Sequence, residues 1–424
     1  MKNFYSLTLL LCLCTNLAQA DISSSQVKKL IKAQDYSELR SHICDTYSSL
    51  QDLEQLTRIA DITKCKPLQA AIGATNALFS TNSNLGITRQ EFLQTALYIL
   101  TTPPENSYLP QEITGLKDPL EYDPDTNQTF IILDRHKEAY VGRGSKKMVH
   151  KCILFDVKHP KVLARATQTL PINRELGMYR DLQGAPGVIQ MHAFTLRTEG
   201  DTTHSTLYLD LYEPGSLRQI LATKKRFSLR EKAEIMAKLL HGVESFHSNG
   251  LVHLDLHIGN CLVSLSKDSK GNKTIATGIA DLGRAMTLEQ AKGVRTQGAT
   301  FFQPPEGWSK THLEGKDYHQ SDLYALGCVF YQLFYNKQPS WQGEYLKNSS
   351  LTNDEKQQKL IQKLDAACKE RRLELQAQKE SKGCLSCKKA LELLVLEMVD
   401  VDPAKRGSTS TLRLRAEEIA SKIK

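Results

Sequence analysis

The stretch His253-Leu254-Asp255-Leu256-His257-Ile258-Gly259-Asn260 places an aspartate five residues before an asparagine, and Asp281-Leu282-Gly283 follows 21 residues after that asparagine. A carboxylate at Asp255 can accept the proton of a substrate hydroxyl. The amide oxygen of Asn260 and the carboxylate of Asp281 are hard oxygen donors of the kind that hold Mg²⁺, and a carboxylate at Asp281 can bridge the metal to nucleotide phosphates. Upstream, Val141-Gly142-Arg143-Gly144-Ser145-Lys146-Lys147-Met148-Val149 carries glycines two apart. Such glycines let backbone N–H groups approach phosphates closely. Each fragment alone also reads as a turn. The ordered set points to phosphoryl transfer.

These residues need elements to hold them. From about residue 130, short β-branched runs appear at 129–133, 149–155, 162–167, 188–195 and 206–212, interrupted by one helical stretch near 171–183. Helical patterns then dominate, beginning with a run over 229–247 just ahead of His253. The glycine pair therefore lies between two strands of a small sheet-rich lobe. The Asp/Asn/Asp set lies in a larger helical lobe. Residues 21–105 read as a separate helical domain. Val27, Leu30, Ile31 and Ile43 recur at helical spacing, as do Leu50, Leu53 and Leu56, and Thr88 with Glu91 opens a further helix in capping-box fashion. Five prolines (103, 104, 110, 119 and 124) mark residues 106–129 as a linker.

With these motifs in order, residues 130–424 resemble the protein kinase superfamily. The resemblance implies an α+β, bilobal fold behind a small helical domain, with a β-rich N-lobe over 130–209, a hinge over 210–215 and a helical C-lobe over 216–424. Gly142, Gly144 and Val149 are similar to the glycine-rich loop, and Glu175 to the glutamate of the helix beside the sheet. Leu209, Asp210 and Leu211 resemble the hinge strand, with Leu209 as gatekeeper. Asp255 matches the catalytic base, and Asn260 and Asp281 the metal ligands. Val149, Ala164 and Leu262 would sandwich adenine. Pro304-Pro305-Glu306 resembles the Ala-Pro-Glu motif, Ser321-Asp322-Leu323-Tyr324-Ala325-Leu326-Gly327 the signature of a central C-lobe helix, and Asp402-Pro403-Ala404-Lys405-Arg406 the late Asp-Pro-x-x-Arg. Glu306 and Arg406 would form a buried ion pair. The implied cofactors are ATP and Mg²⁺, and the implied partner is a protein substrate phosphorylated on serine or threonine.

The departures matter as much. If Ala164 is the alanine over adenine, the strand lysine of the family is replaced by Ala166. The phosphates still need a cation. Lys147, within the glycine-rich loop, is similar in position to the displaced lysine of the WNK ("with no lysine") kinases. The expectation is that Lys147, positioned by Glu175, holds phosphates; Arg165 is the competing cation if the register is one residue off. Leu254 replaces the arginine that usually anchors a phosphorylated activation loop, and His257 replaces a lysine two residues after the base. Ala299 lies where serine/threonine kinases carry a threonine beside the base. Two other readings follow from these changes. One is a pseudokinase, binding nucleotide or acting as a scaffold. The other is a small-molecule phosphotransferase, which resembles His-x-Asp-Leu-His-x-x-Asn but generally lacks counterparts of Glu306, Asp322 and Arg406.

The first twenty residues read as a secretory signal peptide: Lys2, an apolar run from Phe4 to Cys14, and Ala18-Gln19-Ala20 before Asp21. Export to a secreted or lumenal location, including delivery into another cell as a bacterial effector, is therefore expected, with no stable membrane insertion after cleavage. Eight cysteines would remain. Cys152, Cys261 and Cys328 sit in apolar runs and read as buried thiols, whereas Cys384 and Cys387 form a CxxC that could enter a disulfide with Cys368. The formal charge of +8 is spread along the chain without a long basic block, which gives no reason to expect a nucleic-acid partner. Residues 354–382 are highly charged, with Leu360, Ile361, Leu364 and Cys368 on one face, and read as a solvated helix or a docking surface.

Overall fold

The computed structural model describes residues 25–46, 50–82, 84–102, 108–144, 147–169, 173–223, 226–268, 270–294, 298–308, 316–382 and 385–423. The signal-peptide reading (1–20), Ser145, Lys146, Thr296 and Cys384 lie outside the described residues. The chain divides into two compact units, Met1–Pro171 with His192–Leu211, and Ile172–Met191 with Tyr212–Lys424. The division between Leu211 and Tyr212 falls inside the expected hinge.

The first unit opens with helices α1 (25–33), α2 (Tyr36–Thr46), α3 (Leu50–Thr63), α4 (Lys66–Thr81) and α5 (Arg89–Thr101). Helix α5 starts as its sequence requires. The Thr88 hydroxyl accepts the Glu91 N–H at 3.1 Å, and the Glu91 carboxylate accepts the Thr88 N–H at 2.9 Å, so two orphan donors of the first turn are satisfied. Strands β1 (Tyr108–Leu109), β2 (Leu120–Asp123), β3 (Gln128–Ile132), β4 (Tyr140–Arg143), β5 (Met148–Leu154), β6 (Lys161–Gln168), β7 (Met191–Glu199) and β8 (Thr202–Asp210) follow. Their order is β1-β2-β3-β5-β6-β8-β7, with β4 also pairing β5.

The segment read as a linker carries β1, a single helical turn, β2 and the start of β3. Its described prolines sit at the edges of elements, where a missing N–H costs nothing. Pro110 caps the single helical turn α6 (Gln111–Thr114), Pro119 directly precedes β2, and Pro124 follows β2. Nor do the helices keep a core of their own. Val27, Leu39, Leu68, Phe92 and Leu97 pack in one cluster with Leu120, Ile131 and Ile153 of the sheet. Gly86, at φ +81°, fits the seam tightly: a Cβ there would come within 2.5 Å of the His136 Cβ.

The second unit contains α7 (Asn173–Asp181), strand β9 (Pro214–Ser216), α8 (Leu217–Ala222), α9 (Leu229–Ser248), β10 (Leu251–Val252), β11 (Cys261–Lys267), β12 (Lys273–Ile279), β13 (Met286–Thr287) and α10 (Leu288–Ala291). Helices α11 (Lys316–Tyr335), α12 (Asn353–Lys382), α13 (Cys387–Met398) and α14 (Thr409–Lys422) complete it. The three-stranded sheet β12-β11-β9 and the pair β10-β13 hold the loops between α9 and α10 in place. The charged helix α12 is docked rather than wholly solvated. Leu360, Leu364, Cys368, Arg372 and Leu375 are buried along one side, and the Arg372 guanidinium pairs with Asp400.

Cys65, Cys152, Cys261, Cys328, Cys368 and Cys387 are free thiols. The disulfide considered for Cys368 is not formed. That thiol is buried, and burial pushes it up to about 12. No described helix is long and apolar enough to cross a membrane.

Candidate active site

The loop over residues 253–260 in the second unit is shaped by Asp322 of α11. Its carboxylate accepts the backbone N–H groups of His253 and Leu254, each at 2.8 Å, and lies 3.2 Å from His247 Nε2. Burial alone would raise the Asp322 carboxyl; the donors from His247 and His253 outweigh it and hold it below the usual range. This grip lets Leu254 keep φ +60°, a left-handed conformation unfavourable for a branched side chain. His253 ties the loop to the strand behind it. Its Nδ1 accepts the Asp255 N–H at 3.2 Å, so Nε2 carries the proton and donates to the Ala280 carbonyl, also at 3.2 Å.

Asp255 emerges at the end of this scaffold. One carboxylate oxygen, Oδ1, accepts the Ala299 N–H at 2.8 Å. The other, Oδ2, lies 3.4 Å from Nε of Arg284. Ala299, which lacks the hydroxyl that the resemblance leads one to expect, supplies a backbone donor in its place. The approach depends on Gly298, where a Cβ would stand 2.5 Å from the Leu254 carbonyl oxygen.

Asn260 is buried and its Nδ2 donates to the Asp255 carbonyl at 2.9 Å. That fixes the amide and leaves Oδ1 as its oxygen donor. Asp281 sits at φ +64°, a region that Asp tolerates better than most residues. Glu175 of α7 is buried near it: a Cβ on Gly283 would lie 3.5 Å from Asp281 Oδ1 and 3.7 Å from Glu175 Oε2. Tyr179, one turn along α7, has its hydroxyl hydrogen-bonded by the backbone of Asp281 and Leu282, although burial sets its raised acidity constant first. Asn260 and Asp281 together offer an amide oxygen and a carboxylate, a donor set that fits a hard divalent cation. Leu262, half-buried on β11, pairs with Ser216 and Gly278.

His257 accepts the Gly259 N–H on Nδ1 at 2.9 Å, and burial lowers its pKa. Leu254 takes part in an apolar cluster with Val252, Met286, Ala291 and Tyr318. Farther along, Arg406 is fully buried and grips Glu306 with two bonds of 2.5 and 2.9 Å, while also donating to the carbonyls of Gln320 and Asp400. The ion pair expected from the motif is therefore formed.

In the first unit, Gly142 pairs with Val149 across the β4–β5 ladder, and the Gly144 N–H donates to the Lys147 carbonyl at 2.8 Å. Lys147, half-buried, immediately precedes β5. Val149 lies opposite Ala166, and Ala164 opposite Leu209, so these four share one side of the sheet. Arg165 points to the other side. There it is buried, 2.9 Å from Asp134 and 3.4 Å from Glu121, and Glu121 also accepts the hydroxyls of Tyr208 and Thr195. Strand alternation thus removes Arg165 from the Ala164–Ala166 side and assigns it to a structural network. Asp210 bonds Lys161 and His192, each at 2.8 Å; burial works against its ionised form, but these two donors hold the carboxyl down at about 2. Leu211, half-buried, ends the unit. Sequence reasoning did not find Arg284, Gly298 or Tyr179. The only local signal was the position of Arg284 directly after Asp281-Leu282-Gly283.

The protein kinase domain family matches residues 135–417. The chain belongs to the protein kinase family. It is 32% identical over 163 residues to the serine/threonine-protein kinase PKH3 of Eremothecium gossypii, covering 38% of this chain and 21% of that protein. A probable serine/threonine-protein kinase of Corynebacterium efficiens is 24% identical over 225 residues, 51% of this chain and 33% of the relative. The serine/threonine-protein kinase PLK4 of Nematostella vectensis is 29% identical over 228 residues, 52% of this chain and 21% of the relative. The chain therefore spans between a fifth and a third of the length of these relatives.

Proposed function

We propose that the protein is an ATP- and Mg²⁺-dependent protein kinase that phosphorylates serine or threonine. The observation that carries this reading is the fixed carboxylate of Asp255, held by the Ala299 N–H at 2.8 Å on a loop that also fixes Asn260. A scaffold protein has no need of a base oriented this way. Asp255 orients the acceptor hydroxyl and takes its proton as the hydroxyl oxygen attacks the γ-phosphorus. The bond from phosphorus to the β–γ bridging oxygen breaks, and ADP leaves with the electron pair. Asn260 and Asp281 would hold Mg²⁺, which when bound would supply neutralisation of phosphate charge. On the sheet, Gly142 and Gly144, which carry no side chain, let phosphates approach the loop backbone closely, and Val149, Ala164 and Leu209 offer an apolar face to adenine. Lys147 supplies the phosphate-binding cation, because Ala166 carries no charge and Arg165 is committed to Glu121 and Asp134.

Ala166 is also the observation that favours a pseudokinase. Thermal stabilisation by ATP with and without Mg²⁺, combined with autophosphorylation and transfer to casein, separates the two. Metal-dependent stabilisation together with transfer supports the kinase. Stabilisation without transfer makes the protein a pseudokinase. The Glu306–Arg406 pair speaks against a small-molecule phosphotransferase. Export through residues 1–20 is part of the same proposal. It is tested by whether the protein recovered outside the cytoplasm begins at Asp21.

A further inference from the structure

Arg284 is the residue whose placement asks for a role. It ends a single helical turn, Leu282–Arg284, that begins immediately after Asp281. Its side chain is half-exposed, so it does not fill the core, yet Nε lies 3.4 Å from Asp255 Oδ2. The opposite oxygen of that carboxylate is occupied by the Ala299 N–H. The position two residues after the base, where the family resemblance implies a lysine, holds His257. Its Nδ1 accepts the Gly259 N–H at 2.9 Å, which turns that nitrogen to the loop backbone. Among the described ion pairs, the partner of Asp255 is Arg284.

A guanidinium has five donors in a rigid plane and can serve two anions at once. Nε is turned to Asp255, and among the described residues no partner is found for the terminal nitrogens of this half-exposed side chain. Resting on the kinase reading, we infer that Arg284 is a catalytic residue. It bridges the Asp255 carboxylate and the phosphoryl group in flight, supplying positive charge beside the base. The charge on the phosphoryl oxygens is then met where it is delivered to the acceptor, and Arg284 itself neither gains nor loses a proton. Such a contact is made to the transferring group rather than to bound ATP. It therefore belongs to kcat more than to KM.

The test uses the full chain, casein as acceptor, and the variants Arg284→Met and Arg284→Lys. The half-exposed side chain makes both compatible with folding. Arg284→Met is expected to lower kcat by about 100-fold, the scale of one lost electrostatic contact to a transition state. Its KM for Mg·ATP should stay within about threefold of parental, since ground-state binding is not involved. Arg284→Lys should recover part of the loss. Independently of turnover, Mg·ADP with fluoroaluminate, which mimics the phosphoryl group in flight, should bind Arg284→Met much more weakly than parental, while Mg·ADP alone binds equally. Parental kcat and parental affinity for the mimic in Arg284→Met would overturn the inference. So would a variant faster than parental, which would make the Asp255–Arg284 contact an inhibitory latch. If the parental protein itself transfers no phosphate, the kinase reading falls and the role of Arg284 falls with it. If the parental protein is active and the variants match it, only the role of Arg284 falls.

Discussion

In the helical unit, the loop that carries Asp255 and Asn260 is held by hydrogen bonds between side chains and backbone, some of them from far along the chain. Asp322 grips the loop before Asp255, Ala299 donates to Asp255 from 44 residues away, and Asn260 is tied back to the Asp255 carbonyl. In the sheet unit, the arrangement is decided by strand parity. Ala164 and Ala166 face one side, and Arg165, between them, faces a carboxylate network on the other. The contrast teaches where each half can change. A strand can lose its lysine and keep its ladder, because the ladder is made of backbone. A loop whose shape depends on Asp322, His253 and Gly298 has no such freedom.

The comparison breaks first if the helical half tolerates change. Asp255→Asn should reduce turnover by roughly 10²–10⁴-fold, the usual range for a general base, while leaving Mg·ATP binding close to parental. Steady-state kinetics beside nucleotide titration would show this, and parental kinetics would remove Asp255 from the mechanism. Gly298→Ala should come next. Its Cβ would stand 2.5 Å from the Leu254 carbonyl oxygen, so the activation segment must move and take the Ala299 donor with it. Overpacking of this kind costs about 1–3 kcal/mol. A fall in kcat with a lowered melting temperature is the expected pair of readings.

The sheet half should show two opposite signatures in neighbouring strands. Lys147→Met should cost on the order of a hundredfold in turnover, about 3 kcal/mol at the barrier, with stability little changed. Arg165→Met should do the reverse. It leaves Glu121 buried without its guanidinium partner, and breaking one side of a buried pair costs about 3–5 kcal/mol. The melting temperature should fall, while the folded fraction keeps near-parental kcat. Double replacement, Lys147→Gly with Ala166→Lys, sharpens the point by returning the charge to the Ala164 side of β6. Partial recovery relative to Lys147→Met is expected. An inactive but fully stable Arg165→Met would reverse the assignment of the two cations.

Much of this was legible beforehand, and the reasons for the rest are physical. The spacing of Asp255, Asn260 and Asp281 is a local property of one loop and the strand pair after it, so the sequence displays it directly. The Glu306–Arg406 pair was readable because both partners sit in recognisable strings. The strands at 108–123 were not, since prolines at element edges look the same in a row of letters as prolines in a linker. Their strand character depends on β3 and on Ile132, whose N–H reaches back to the Pro119 carbonyl at 2.9 Å. The shared core of helices and sheet was hidden for a similar reason: periodicity reveals which face of α4 or α5 is apolar, not what lies against it. Arg284 and Gly298 act on Asp255 across 29 and 43 residues of chain, and no spacing rule links them.

The smallest effect should come from dephosphorylation, and its smallness is informative. In a phosphorylation-gated kinase, an arginine beside the base receives the phosphate and orders the activation segment. Here that position is Leu254, packed with Met286, Ala291 and Tyr318. The segment is tethered by other means. Leu251 and Val252 pair with Thr287 and Met286, and the Tyr318 hydroxyl donates to the Val294 carbonyl at 3.0 Å. Thr287 already works as a helix cap, its hydroxyl accepting the Gln290 N–H at 3.2 Å, and a phosphate there would disturb the cap it now makes. Phosphatase-treated protein should therefore retain parental kcat to within about twofold, with Thr287, Thr296 and Thr300 each replaceable by alanine without loss on the scale of a missing charge pair. Activity that vanishes on dephosphorylation and returns with a phosphate on one of these threonines would show that a cation elsewhere has taken over the anchoring role. The apolar cluster around Leu254 would then be packing alone.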